Sequence, residues 1–313
     1  MAFLARECKS FDFTADILMI SGMSNTQKAI ALGISGWFLF SLGDLFRKIV
    51  FADLPILVAQ GYISLFAAVF ALFFASYTGG LKSLANFERP LYVLQRSLVM
   101  IFVTGGAMVG LAYLELSKFY IIIFTTPIIT SFLANFIFKE RIKPHHVIIL
   151  LTGFAGVLIM VRPGLNFTDM NDFSLGVAGA LVNAVSFALL SVNSKFFKED
   201  APKLPLIIYP FLASSGTFFL CSTSDFVLPD LRQALFLVIP GMCLALAIIF
   251  HIKAFQIVAA NTVAPFHYTQ LIWGTLFGYL FFNEFPDVST WIGGAVIIGA
   301  GLLLYKFENR RKK

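Results

Sequence analysis

The chain has 313 residues, 58% of them hydrophobic and 13% charged, with a net charge of +6 and a mean hydropathy of +0.85. A soluble domain carries roughly a quarter charged residues, so a soluble class is excluded and lipid must be the solvent. The basic residues are spread over short loops and form no single patch, which argues against nucleic acid as a partner.

Residues 1–28 lack a basic segment leading into a long apolar core and a small-residue cleavage site, so they do not read as a signal peptide. Met23, followed by SNTQK, makes a natural start before the first helix. A membrane-spanning helix needs about 20 mainly apolar residues. Ten such spans are expected, over 29–47, 54–76, 92–114, 118–138, 146–161, 175–196, 204–222, 234–252, 260–282 and 290–305. The fold class is therefore an all-α membrane protein. Cys8, Cys221 and Cys243 are odd in number and two lie in apolar runs, which points to free buried thiols.

The chain repeats itself. Residues 115–164 and 260–307 align when Phe138-Lys139-Glu140 is placed on Phe282-Asn283-Glu284, an offset of 144, and Gly33 and Gly36 fall on Gly176 and Gly179. The expected organisation is a cytoplasmic segment (1–28), two five-helix repeats (29–164 and 174–307) and a basic tail (308–313). With the N-terminus inside, 17 basic residues fall in cytoplasmic segments and 5 (Arg47, Lys48, Lys118, Arg162, Arg232) outside, with Arg96 inside the third span. The positive-inside rule thus places both termini in the cytoplasm. Five spans is an odd number, so the second half enters the membrane inverted, which is the architecture of alternating access.

Asp44 is the carboxylate set clearly inside a span, where a charge costs about 2.5–3.5 kcal/mol and by default faces a cavity or a partner. Gly33, Trp37, Phe40 and Asp44 lie along one helical face. An indole about 10 Å from a carboxylate suits a cation carrying a planar ring. The alternative is a surface pair between Asp44 and Lys48 at i+4. Arg96 lies more than about 15 Å from Asp44 in depth, so it is expected to snorkel to the headgroups or brace an inner gate. In the sixth span Asn183, Ser186 and Asn193 share a face, as cavity wall or as interhelical glue. In the ninth span Asn261, Pro265 and Tyr268 form one stripe, favoured as cavity lining. His267, Gln270 and Trp273 form another, with Trp273 still in reach of the cavity and Gln270 facing the bundle or a neighbouring helix. Tyr268 and Gln270 alternatively only join helices. His267 is a candidate for coupling protons.

Glu140 and Glu284 read as matched boundary features. Glycines of the fifth and tenth spans (Gly153, Gly156, Gly293, Gly294, Gly299, Gly301) suit close packing, with a homodimer through these spans as one use. His145 and His146 sit in a loop, apart from His251 and His267. With no paired in-span carboxylates either, neither an intramembrane enzyme nor a channel fits, and no cofactor is called for.

Arg96 at the entry to the third span, the stretch Tyr113 to Glu140 ending FKERI, and its second copy from Ala254 to Gly301 resemble the drug/metabolite transporter superfamily, in particular its EamA-type members, over almost the whole chain. KAFQIVAANTVAPFHYTQL (253–271) and FFNEFPDVST (281–290) resemble bacterial S-adenosylmethionine uptake transporters. Similar wording occurs in riboflavin importers and amino-acid exporters. The resemblance implies a cavity enclosed by spans 1–4 and 6–9, with 5 and 10 as scaffold, in an inner membrane. It also implies no nucleotide hydrolysis, which agrees with the lack of a G-x-x-x-x-G-K-[ST] loop. The expected cargo is a small polar or amphipathic metabolite, S-adenosylmethionine first. The expected binding residues are Trp37, Asp44, Asn183, Asn261, Tyr268, Gln270 and Trp273.

Overall fold

A computed structural model describes residues 23–77, 84, 90–114, 116–139, 143–161, 170–196, 204–282 and 288–310. Glu140, Glu284 and residues 1–22 lie outside the described residues, as do Arg162 and Lys198. Among the described residues the chain is helices joined by short turns and links, with no strand.

The first three helices are α1 (Asn25–Asp53), α2 (Ile56–Tyr77) and α3 (Pro90–Tyr113). Ser24 starts α1 with a reciprocal cap: its hydroxyl accepts from the Gln27 amide (3.4 Å), and the Gln27 side chain accepts from the Ser24 amide (3.0 Å). The fourth expected span is two helices, α4 (Leu116–Ile123) and α5 (Thr126–Phe138). Pro127 has no amide to donate to the Ile123 carbonyl, so the helix restarts there. After α6 (Pro144–Val161) the second half begins with α7 (Met170–Asn193), a 3₁₀ turn at Ser194–Phe196, α8 (Pro205–Cys221) and α9 (Leu231–Ile257). Asp230 caps α9 with Gln233 in the same reciprocal way. The ninth expected span is also interrupted: α10 (Ala260–Val263), a 3₁₀ helix (Ala264–Tyr268), then α11 (Thr269–Phe282). The last helix is α12 (Val288–Arg310).

Five of the helices (Asn25–Asp53, Ile56–Phe74, Pro90–Tyr113, Ser174–Asn193 and Leu231–Ile257) are individually long and apolar enough to cross a membrane, and shorter apolar helices accompany them. Phe73, Phe102, Phe136, Leu220, Trp291 and Leu302 are exposed on the outside of the bundle, as lipid-facing side chains must be.

Helix pairing shows the duplication directly. α1 packs on α9, and its repeat partner α7 packs on α3; α2 packs on α9 as α8 packs on α3; α11 meets α1 as α5 meets α7. α2 with α8, and α6 with α12, close on their own counterparts. Exchanging the halves leaves the pairing scheme unchanged. Gly156 of α6 lies so near the Gly293 carbonyl of α12 that a Cβ would approach it to 3.0 Å. At least these glycines of the scaffold pair are used within one chain.

Four expectations change at this level. The first span does not end at Arg47: α1 continues to Asp53, and Arg47 is buried inside it. Cys221 is exposed at the end of α8, whereas Cys243 is buried; both are free. His145 and His146 belong to the first turn of α6 rather than to a loop. Arg96 does not snorkel. It is fully buried, donating through Nε to the Leu206 carbonyl (2.9 Å) and through Nη1 to the Leu190 carbonyl (3.3 Å), Asn193 Oδ1 (3.4 Å) and Ser194 Oγ (3.2 Å). A buried guanidinium needs such acceptors to offset its desolvation, and here it ties α3 to the end of α7 and the start of α8.

Candidate functional site

A cavity lies between α1, α3, α4, α7, α9 and the broken ninth segment. Its walls are Trp37, Phe40, Gly43, Asp44 and Arg47 of α1, with Val103, Thr104 and Ala107 of α3, Phe119 and Ile123 of α4, Asn183 and Phe187 of α7, and Pro240 and Leu244 of α9. His267 and Gln270 complete it. Among the described residues, none of α6 or α12 contributes. The free interior is about 60 Å³, room for a few waters and not for a nucleoside. A metabolite therefore needs the surrounding helices to part.

Both interruptions border this cavity. By the offset of 144, the 3₁₀ residues 264–268 match 120–124, where the first half breaks between α4 and α5. Discontinuous helices at matching places in two halves are where membrane carriers set their ligand sites, because loosened backbone is tolerated only beside a cavity or protein.

A polar chain runs along the wall. Arg47 Nη1 donates to Asp44 Oδ1 (3.2 Å), and Gln270 Nε2 donates to Asp44 Oδ2 (3.1 Å). Since the Gln270 amide nitrogen is turned to the carboxylate, its Oε1 is left to accept from His267 Nε2 (3.1 Å). That geometry assigns the ring proton of His267 to Nε2. The Gln270 backbone carbonyl takes the Ser41 hydroxyl (2.8 Å), locking α1 to the start of α11. His267 then stacks on Trp37, ring centroids 3.8 Å apart and planes 11° from parallel. His251 meets the Trp37 edge at 5.3 Å, and its Nε2 shares a hydrogen bond with Ser191 Oγ (2.9 Å). Phe40 and Phe187 complete the aromatic floor around Trp37. Trp37 Nε1 is buried without an acceptor, and so is Arg47 Nε.

Of the seven expected binding residues, Trp37, Asp44, Asn183 and Gln270 meet in this cavity. Asn183 donates to the Val103 carbonyl (2.8 Å) and so faces α3 as well. Asn261, Tyr268 and Trp273 stand outside the lining. Asn261 is buried in the apolar cluster around α10. The Tyr268 hydroxyl donates to the Leu150 carbonyl (3.2 Å) of α6, which is a scaffold contact. Trp273 packs edge-on against Phe38, centroids 5.2 Å apart. The stripe preference in the ninth segment is thus reversed. Its projection assumed 100° per residue, but a 3₁₀ helix turns 120° per residue, which over five residues rotates the later positions by about 100°. The Trp37 face expected to receive a ligand ring is covered by His267. Asp44 forms an ion pair with Arg47 (3.2 Å).

Sequence reasoning missed Arg47, His251 and His267 as parts of one site. It also missed a buried hydroxyl chain in which Ser214 Oγ of α8 contacts Thr104 Oγ1 (2.7 Å) and Ser64 Oγ (3.3 Å) behind the cavity wall. Arg47 was the accessible signal: an arginine three residues after an in-span carboxylate reaches the same helical face.

A multi-pass helical bundle with an interior cavity at two broken helices is the architecture of a membrane transporter for a small metabolite. The sequence pattern of the EamA-like transporter family matches residues 27–162 and 174–306, and the chain belongs to that family. Among curated relatives, the S-adenosylmethionine uptake transporter of Rickettsia bellii is 27% identical over 293 residues, covering 92% of this chain and 98% of that protein. The transporter of the same description from Rickettsia prowazekii is equally similar, with 92% and 97% covered. The riboflavin transporter of Brucella anthropi is 27% identical over 191 residues, covering 59% of this chain and 66% of that protein. A crystal structure of another protein aligns with a TM-score of 0.76 at 19% identity, covering 92% of this chain and 99% of that one, which shows the shared fold.

Proposed function

We propose that the chain is a secondary transporter that takes up S-adenosylmethionine across a bacterial inner membrane by alternating access, with both termini in the cytoplasm. The observation that carries this reading is Asp44, a carboxylate set in the wall of an aromatic-floored cavity in a chain whose near-full-length relatives bear that description. A sulfonium or ammonium would meet the carboxylate, and the adenine would lie toward Phe40 and Phe187 after the cavity widens. In this topology α1 runs outward and the Asp44–Arg47 end of the cavity lies on the periplasmic side. Trp37, His251 and His267 then close it toward the cytoplasm. Riboflavin is the second reading, favoured by the riboflavin transporters that match about three fifths of the chain.

The test is transport by the purified full chain in proteoliposomes. Radiolabelled S-adenosylmethionine should enter saturably, and unlabelled S-adenosylmethionine loaded inside should accelerate exchange. Asp44→Asn should reduce uptake at least about 10-fold, the scale of losing a hydrogen-bonded charge in a buried site. Saturable riboflavin uptake with none of S-adenosylmethionine would replace the first reading by the second.

A further inference from the structure

We infer that Arg47 and Asp44 together form a head-group reader for a zwitterion, an amino-acid-type group whose carboxylate binds Arg47 while its ammonium binds Asp44. This deepens the proposed transport function and rests on the same cavity being the substrate site.

Arg47 is 6% exposed. A guanidinium has five donors in a rigid fork, yet among the described residues its hydrogen bonding amounts to one contact, with Asp44. Nε is enclosed with no acceptor. Leaving such a group under-satisfied away from water is costly, and the free side of the fork has the shape that a carboxylate takes bidentately. Asp44 has spare capacity of the opposite sign. Its two oxygens accept one hydrogen bond each, from Arg47 and Gln270, while a carboxylate offers about four lone-pair sites. Both side chains line the cavity.

Charge accounting selects the ligand class. The Arg47–Asp44 pair is neutral, so a simple cation or anion would leave one net charge in a low-dielectric interior, where unpaired charge is expensive. A zwitterionic head adds none and fills both free capacities at once; the sulfonium of S-adenosylmethionine is a further positive charge outside that head, and it would lie against the aromatic rings of Phe40 and Phe187. A third unfilled donor sets the rest of the molecule. Trp37 Nε1, buried without an acceptor, lies about 10 Å along α1 from Asp44. The ligand therefore carries a tail about that long, ending in a ring system with a hydrogen-bond acceptor. Riboflavin has the ring and the acceptors and no zwitterionic head.

Competition binding on the purified full chain separates these possibilities. Wild type should bind S-adenosylmethionine about 10- to 100-fold more tightly than its decarboxylated analogue, the range for a hydrogen bond to a charged group. Arg47→Gln should weaken S-adenosylmethionine alone and so remove the difference. Arg47→Lys, which keeps the charge and loses the fork, should retain part of it. The wild-type comparison needs no variant to fold. Equal binding of the two compounds by wild type overturns the inference, as does an Arg47→Gln loss that falls equally on both. L-tryptophan and L-methionine extend the panel. If one of these is bound with Arg47-dependent carboxylate selectivity and S-adenosylmethionine is not, the proposed substrate fails and the zwitterion reader stands. If riboflavin is bound with Arg47 dispensable, or no zwitterionic probe binds, the reader fails while the membrane carrier remains.

Discussion

Gly36 and Gly179 are repeat-equivalent, and substituting alanine at each should have opposite consequences. A Cβ on Gly36 of α1 meets the Ala247 carbonyl at 3.5 Å and Phe250 Cβ at 3.6 Å, ordinary contacts with α9. A Cβ on Gly179 of α7 would lie 2.8 Å from the backbone nitrogen of Gly110 and 2.8 Å from Val109 Cγ1. Backbone cannot rotate aside, so α3 and α7 would have to separate by about 0.7 Å to reach the normal carbon contact distance. A gap of that size forfeits a quarter to a half of each dispersion contact along the crossing, and overpacking of this kind costs roughly 1–3 kcal/mol. Both substitutions remove the helical glycine penalty of about 0.8–1 kcal/mol, which cancels in the comparison. Gly36→Ala should be neutral or slightly stabilising. Gly179→Ala should be less stable than Gly36→Ala by about 1–3 kcal/mol. Reversible unfolding in mixed micelles measures the pair, with saturable uptake as the functional readout. Uptake should fall for Gly179→Ala, since Asn183 is one turn further along α7 and bonded to α3. Equal stabilities would refute the close crossing.

Two further outcomes are expected. In a background with Cys8, Cys221 and Cys243 replaced by serine, cysteines at 103 and 107 should react with a small charged thiol reagent and be protected by substrate, while those at 261 and 268 stay unreactive; the reverse pattern would restore the rejected stripe. A periplasm-active reporter fused after Arg162, and cytoplasm-active reporters after Lys198 and Lys313, should all give signal; activity of the cytoplasmic reporter after Arg162 would overturn the proposed topology.

The ten segments and the duplication were legible because apolar length and repeated residues are properties of consecutive sequence. Asp44 was legible for the same reason, as a charge within an apolar run. Arg47 was hidden by its place at the expected end of the first span, although a buried ion pair lets the helix continue. The broken ninth segment defeated angular projection, because Pro265 turns the path into 3₁₀ geometry and the later side chains change face. The meeting of His251 and His267 at Trp37 left no trace in spacing, since Trp37 lies more than 200 residues before both. The acceptors of Arg96 were equally invisible, two of them being main-chain carbonyls of the other half.

The repeat also explains why a symmetric fold can hold a directional site. The pairing of helices survives exchange of the halves, but the offset of 143 that aligns Gly36 with Gly179 places Asp44 on Phe187, Arg47 on Leu190 and Trp37 on Ala180. The charged pair therefore has an apolar counterpart. In an inverted duplication, equivalent positions lie at opposite depths; the ion pair lies in one part of the cavity wall and Phe187 in another, beside Trp37. A ligand with a charged head and a flat tail then has one favoured orientation, head toward the end where α1 finishes. Moving that ligand across the bundle means drawing its head away from Asp44 and Arg47, whose mutual ion pair is available to re-form as the head leaves. On the proposed reading, the pair would limit the cost of release as well as favour capture.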